Sequence, residues 1–271
     1  TLVEGSISAL NYANKLNGFV MALFIASIAA VIYPMLSKLS SEDDKDKFTA
    51  SVVRSINSVI LLVIPISVGA IVLSTPIIKL LFQRGEFDAR ATSMTAIALI
   101  MYSIGMVAFG LRDILGKVFY ALQDTKTPMK NGVIAMVMNI VLNIILVKYL
   151  QLAGLALATS ISAIVCIFLL FGSLKKQIGY FGQDKIIKTT IKSIISAIVM
   201  GIVAYFNYNI LSNLLGIGFI NEAISLVVSI GVGTITYAIV IIALKVEEVN
   251  IMNSIINKKL KGLLRLAKSN I

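Results

Sequence analysis

The sequence predicts an all-α, polytopic membrane protein, and three observations lead there. Of 271 residues, 58% are hydrophobic and 14% charged, whereas soluble domains carry about 25% charged residues; the mean hydropathy is +0.94. Apolar stretches recur at 6–33, 49–82, 91–122, 129–150, 152–174, 187–210 and 219–244. Each is long enough to cross a hydrocarbon core about 30 Å thick, some with tilt or an interfacial turn. Lysine and arginine gather in alternate connectors, as the positive-inside rule requires of a chain that crosses repeatedly. Seven transmembrane helices are expected.

The first stretch, Gly5 to Tyr33, is apolar but holds Lys15 well inside it. At about 1.5 Å per residue, Lys15 lies roughly 15 Å from Gly5, close to the middle of a bilayer core. A cation at that depth costs roughly 2.5 to 3.5 kcal/mol unless water or an anion receives it. Asn11, Asn14 and Asn17 stripe the same segment and are costly against lipid. Lys15, Asn11 and Asn14 are therefore expected to face a hydrated cavity; the alternatives are a snorkelling ammonium or a helix seated at a shallower depth.

The second stretch carries Pro65 and Pro76 in what reads as one helix, each proline a static bend or a gating kink. The third holds Arg112 and Asp113 about eight residues from Tyr120, roughly 12 Å deep by helix rise. Both could line the cytoplasmic half of a cavity. Lys117, four residues beyond Asp113, is the expected local ion-pair partner.

The fourth stretch begins at Thr127-Pro128, a favoured place for proline at a helix start. Asn139 and Asn143 share one face of it. The tight connector KYLQLAG puts Asn143 and Thr159 of the fifth stretch at similar depth. Two amide oxygens, a hydroxyl and the Leu155 carbonyl form a donor set for a hard monovalent cation. Ordinary interhelical hydrogen bonding, about 0.6 kcal/mol each, is the alternative.

The sixth and seventh stretches complete the membrane region. In the tail, Val249, Met252, Ile256, Leu260, Leu263, Leu264 and Ala267 recur near helical spacing opposite Lys258, Lys259, Lys261, Arg265 and Lys268. That pattern predicts an amphipathic interfacial helix on the cytoplasmic leaflet.

Composition also narrows function. There is no histidine and one cysteine, Cys166, so disulfide frameworks, histidine catalysis and Cys/His metal sites are excluded. The formal net charge of +11 reads as cytoplasmic loops facing anionic lipid headgroups, not as nucleic-acid binding. The acidic run Glu42, Asp43, Asp44 and Asp46 reads as a solvated loop, so no enzyme chemistry is expected. The chain opens on Thr1 without a signal peptide, and a piece of a longer chain is expected.

The runs LFQRGEFDARAT and FYALQDTKTPMKNGVIAMVMNIVLNIIL, with GSISALNYANKL and YPMLSKLS, resemble the MurJ/MviN lipid II flippases of the multidrug/oligosaccharidyl-lipid/polysaccharide exporter superfamily. The resemblance implies a protein of fourteen helices, of which this chain would be the eighth to the fourteenth. Residues 1–177 would then form the C-terminal transporter lobe, five helices without the parent's seventh. Residues 178–245 would supply two additional helices, and 246–271 the cytoplasmic amphipathic tail.

By that resemblance the partners are an undecaprenyl-diphosphate-linked muropeptide, lipid II, and the missing N-terminal lobe, in a bacterial inner membrane. The resemblance puts Lys15 at the substrate, and the polar positions read above, Asn11, Asn14 and Arg112, would join it as substrate residues. Lys15 stands where family members carry a cavity arginine, in Tyr12-Ala13-Asn14-Lys15, which keeps the charge but loses the bidentate fork. A sodium site would fall on Asn139, Asn143, the Leu155 carbonyl and Thr159, with Asn143 where an acidic residue can occur. The rival readings are an exporter of another lipid-linked oligosaccharide or of drugs, a membrane enzyme acting on a polyprenyl phosphate, and a non-transporting scaffold.

Overall fold

The computed structural model describes residues 3–42, 44–216 and 218–246, so the expected tail helix lies outside the described residues. Every regular element among the described residues is helical. Large apolar side chains cover the outer surface, among them Ile144, Phe168, Phe206 and Val227. Such a surface is stable only in lipid, where a helix satisfies its own backbone hydrogen bonds. The chain is a multi-pass membrane protein.

Helix α1 runs from Ser6 to Ser41, about eight residues beyond the expected end at Tyr33, and widens into a π-turn at Met21–Ile25. Such a turn closes hydrogen bonds one residue further back and shifts the register of the side chains that follow. Asp44 caps α2 (Lys45–Val72) by accepting the Lys47 N–H. The stretch expected to be one helix with two internal prolines is two. Helix α2 stops at Leu73, and α3 (Ser74–Phe82) begins there, with Pro76 in its first turn, where a missing N–H costs nothing. Of these two prolines Pro65 alone interrupts a helix interior, as Pro34 does in α1.

Asp88 caps α4 (Ala89–Ala121) through the Ala91 N–H at 2.8 Å. This is the central helix, in contact with α1, α2, α3 and the hairpin that follows. Its glycines permit that density. A Cβ on Gly105 would lie 2.6 Å from the Ser160 Cα, and one on Gly110 would press on Ile25 and Val59.

The helical stretch Lys126–Ile178 reverses at a single residue, Gln151, with φ 48° and ψ −124°. Its two arms, α5 (126–150) and α6 (152–178), lie antiparallel. Asn131 reaches Ser173, Asn139 reaches Thr159, and Gly154 packs on the Leu146 carbonyl. With these two arms counted separately, seven helical stretches among the described residues are long and apolar enough to cross a membrane, the number expected. Helices α7 (Gln183–Leu215) and α8 (Phe219–Ala243) pair with each other; α7 lies on α2, and α8 touches α3. Lys79 and Glu222 form an ion pair joining α3 to the start of α8.

Two of the three apolar clusters among the described residues hold most of the helices together. The larger joins α1, α2, α4 and α6 through Ile25, Leu36, Ile60, Leu115, Phe119 and Leu170. The smaller packs Ala9, Ala13, Ile78, Leu99 and Leu152 at the other end. Helix α5 takes little part, with only Asn131 and Ala135 buried and Met136 and Ile144 more than half exposed.

Candidate functional site

On α1 the spacing of small and polar residues divides the helix into two faces. Ala9, Ala13 and Asn17 are buried, while Asn11, Asn14, Lys15 and Gly18 are exposed in one stripe. That stripe borders a cavity of about 760 Å³, into which Asn14, Asn17, Arg112, Asp113, Gly132 and Thr159 bring α1, α4, α5 and α6 together. Met21 and Ile25 of the π-turn form part of its wall. Asn17 is 6% exposed and its Oδ1 has no hydrogen-bond partner.

Three cations on α1 and α4 each lean on an aromatic ring, and of the three Arg112 lines the cavity itself. The Lys15 ammonium lies 5.4 Å from the Tyr12 ring centroid. The Arg112 guanidinium lies 5.9 Å from that of Phe109. Lys117 lies 5.9 Å from the Tyr33 ring and 6.0 Å from Tyr120. The expected Asp113–Lys117 ion pair does not form, because Lys117 turns between those two rings instead. Among the described residues, none of the three cations is in an ion pair. A cation over a ring face keeps its charge available, since the ring supplies a quadrupole and no neutralising anion.

Of the residues expected to meet substrate, Asn14 and Arg112 line the cavity directly, while Asn11 and Lys15 lie on the exposed stripe beside it. The aromatic cradles went unrecognised in the sequence. Their signal is nevertheless present: Tyr12 and Lys15, Phe109 and Arg112, and Lys117 and Tyr120 are each three residues apart, one helical turn.

The four oxygen-bearing residues of the hairpin form one chain of hydrogen bonds. Asn143 Nδ2 donates to Asn139 Oδ1 at 3.1 Å, Asn139 Nδ2 to Thr159 Oγ1 at 3.4 Å, and Thr159 Oγ1 to the Leu155 carbonyl at 3.0 Å. Asn139, not Asn143, meets Thr159, one helical turn from the expected partner. The Asn143 Oδ1 is buried without a partner, an orphaned oxygen of the kind a cation would satisfy. Among the described residues no group of three acidic, histidine or cysteine side chains gathers, so the donor set is neutral and suits a monovalent ion. Thr159 also lines the cavity and links the two sites.

Known proteins resemble this chain along most of its length. The family model described as "Lipid II flippase MurJ" matches residues 1–244. A "Probable lipid II flippase MurJ" of Vibrio cholerae is 35% identical over 246 residues, covering 91% of this chain and 47% of that protein. The "Lipid II flippase MurJ" of Burkholderia cenocepacia is 34% identical over 176 residues, 65% of this chain and 34% of the relative. A solved structure described as "Lipid II flippase MurJ, inward closed conformation" superposes with a TM-score of 0.71 at 30% identity, covering 86% of this chain and 47% of that one. The chain thus spans about half the length, or less, of the relatives it matches.

Proposed function

Because this chain belongs to the lipid II flippase MurJ family, we propose that it is the C-terminal half of a transporter. That transporter moves the undecaprenyl-diphosphate-linked peptidoglycan precursor from the cytoplasmic to the outer leaflet by alternating access, and the missing N-terminal lobe supplies the cavity's second wall. The observation that carries this reading is the unpaired Lys15 ammonium on a polar stripe with Asn11 and Asn14 beside a membrane cavity.

A diphosphate brings about two negative charges that lipid rejects. Three cations, none of them ion-paired among the described residues and set against the one Asp113 carboxylate in the lining, offset the cost of carrying them across. Lys15 acts as a point charge, and Arg112 offers a planar fork of donors from α4. Asn11 and Asn14 donate amide N–H groups to phosphate oxygens. The polyprenyl tail stays in lipid while the head group crosses the hydrated space. No substrate bond is made or broken, so the protein is not an enzyme.

Asn139, Asn143, Thr159 and the Leu155 carbonyl would hold a sodium ion, whose binding links the α5–α6 hairpin to the cavity wall. The lysine-rich connectors and the tail lie on the cytoplasmic face of a bacterial inner membrane, against anionic lipids.

The test is a complementation. A flippase-depleted bacterium receives the protein in the longest form its gene encodes, unchanged or as Lys15→Ala or Lys15→Arg, with membrane levels matched and externally accessible lipid II measured. Loss of exposure in Lys15→Ala with retention in Lys15→Arg is expected. Normal exposure in Lys15→Ala would remove Lys15 from the mechanism, and none in the unchanged protein would move the substrate to another lipid-linked glycan.

A further inference from the structure

We propose that a second cavity, of about 830 Å³ and next to the start of α1, binds the carbohydrate of the transported head group on the outer side. The proposal rests on the flippase reading above and names a subsite for it. The cavity lies between the first turns of α1, the 83–88 connector and the first turns of α4. These are the connectors poor in lysine, the outer end by the positive-inside rule.

Three rings build its wall. Tyr12 and Phe82 have centroids 4.8 Å apart, Tyr12 and Phe87 meet edge to face at 5.4 Å, and Phe82 and Phe87 lie 5.9 Å apart. All three line the cavity and all are half-buried. Gly85, with φ 58°, turns the connector so that Phe87 comes back onto Tyr12, a left-handed conformation that glycine takes without strain. An aromatic wall with a few polar groups around it is the composition of a site that orients a small organic ligand. Sugar rings present flat C–H faces to such a wall and hydroxyl and acetamido groups to the polar surround.

That polar surround is not self-satisfied. Arg84, Glu86 and Arg90 line the cavity exposed, and among the described residues none of them is in an ion pair. Thr95 is fully buried at the cavity wall, and its hydroxyl has no hydrogen-bond partner. An orphaned buried hydroxyl calls for a ligand or water. Charges of both signs fit a neutral amino sugar with hydrogen-bonding substituents better than they fit a polyanion.

One residue of the aromatic wall also touches the cation of the polar stripe. The Tyr12 ring forms part of this cavity and also carries the Lys15 ammonium on its face. A phosphate held by Lys15 therefore places the sugar bonded to it beside the aromatic wall.

The experiment uses the protein in the longest form its gene encodes, in lipid nanodiscs, titrated calorimetrically with two probes. One is the soluble amino-sugar disaccharide bearing its peptide but neither lipid nor diphosphate; the other is inorganic pyrophosphate, which reports the cation site alone. Phe87→Leu is expected to weaken the disaccharide roughly tenfold, the size of a lost aromatic contact. Thr95→Val, which keeps the shape, is expected to weaken it about threefold, a lost uncharged hydrogen bond. Melting temperatures near the unchanged protein's are required of both variants.

Disaccharide binding that both variants leave intact overturns the proposal. Pyrophosphate bound without the disaccharide overturns this subsite and leaves the flippase reading standing, whereas neither probe bound removes both. Lipid II exposure lost in Phe87→Leu with disaccharide affinity unchanged also overturns it, and marks the cavity as a packing surface within the larger protein.

Discussion

The Tyr237 hydroxyl of α8 donates to the Leu61 carbonyl of α2 at 2.9 Å, and Leu61 is the residue whose carbonyl Pro65 leaves without its intrahelical donor. Proline lacks the N–H that would close the bond four residues back. In lipid such a carbonyl must find another partner. Tyr237 also shares a 2.8 Å hydrogen bond with Ser193 of α7, so α7 and α8 converge on the turn of α2 that Pro65 leaves a hydrogen bond short.

Tyr237→Phe should therefore destabilise the protein by about 1–2 kcal/mol, through a half-buried carbonyl left unsatisfied. The penalty should shrink when Pro65→Ala is present, because alanine returns an N–H to the Leu61 carbonyl. A double-mutant cycle read by unfolding in micelles measures the coupling. Additive losses would show that the hydroxyl does not serve the carbonyl that Pro65 frees.

Gly105→Ala should separate α4 from α6. Its Cβ would fall 2.6 Å from the Ser160 Cα, and Ser160 already holds the Met101 carbonyl at 2.6 Å. Overpacking of this kind costs about 1–3 kcal/mol, roughly 3–10 °C of melting temperature. Gly172→Ala in α6 meets nothing within 4 Å and should leave Tm unchanged or raise it.

Gln151 turns the α5–α6 hairpin with φ 48°, a value that favours glycine over any residue with a Cβ. Gln151→Gly is expected to stabilise by about 1 kcal/mol, seen as a higher unfolding midpoint. A lower midpoint would show that the Gln151 side chain contributes more than its backbone strain costs.

Acidification should loosen the start of α5. The Asp124 carboxylate accepts the Lys126 and Thr127 N–H groups at 3.1 and 3.0 Å. Hydrogen bonding from Thr127, side chain and then backbone, holds its pKa below the usual carboxylate value. A lowered folded pKa means that the stabilisation is complete above the unfolded value, about 3.9. It is lost as pH falls through the folded one. Amide exchange at Thr127, corrected for its intrinsic rate, should be steady down to about pH 4 and quicken below it. Asp124→Asn should abolish that dependence; the same acid response in the variant would place its origin elsewhere.

Sodium should raise the melting temperature relative to N-methylglucamine at equal ionic strength, and Asn139→Ala should remove the difference. An equal sodium effect in Asn139→Ala would assign the four oxygens to interhelical bonding alone.

The sequence by itself determined the seven crossings, their order and the polar residues within them. The reason is that lipid cannot hydrogen-bond a backbone, so any apolar stretch of about twenty residues must be a helix. It also marked Lys15, Arg112 and the asparagines, because polar groups are costly there and stand out against the apolar background. Which groups meet was decided by the tertiary structure. Asn139 rather than Asn143 reaches Thr159, Lys117 prefers Tyr33 and Tyr120 to Asp113, and Tyr237 finds a carbonyl 176 residues away. In a soluble helix the apolar stripe fixes which face turns inward. Here the packed and lipid-facing sides are equally apolar, so helix rotation follows from how small residues such as Gly105 let neighbouring helices approach.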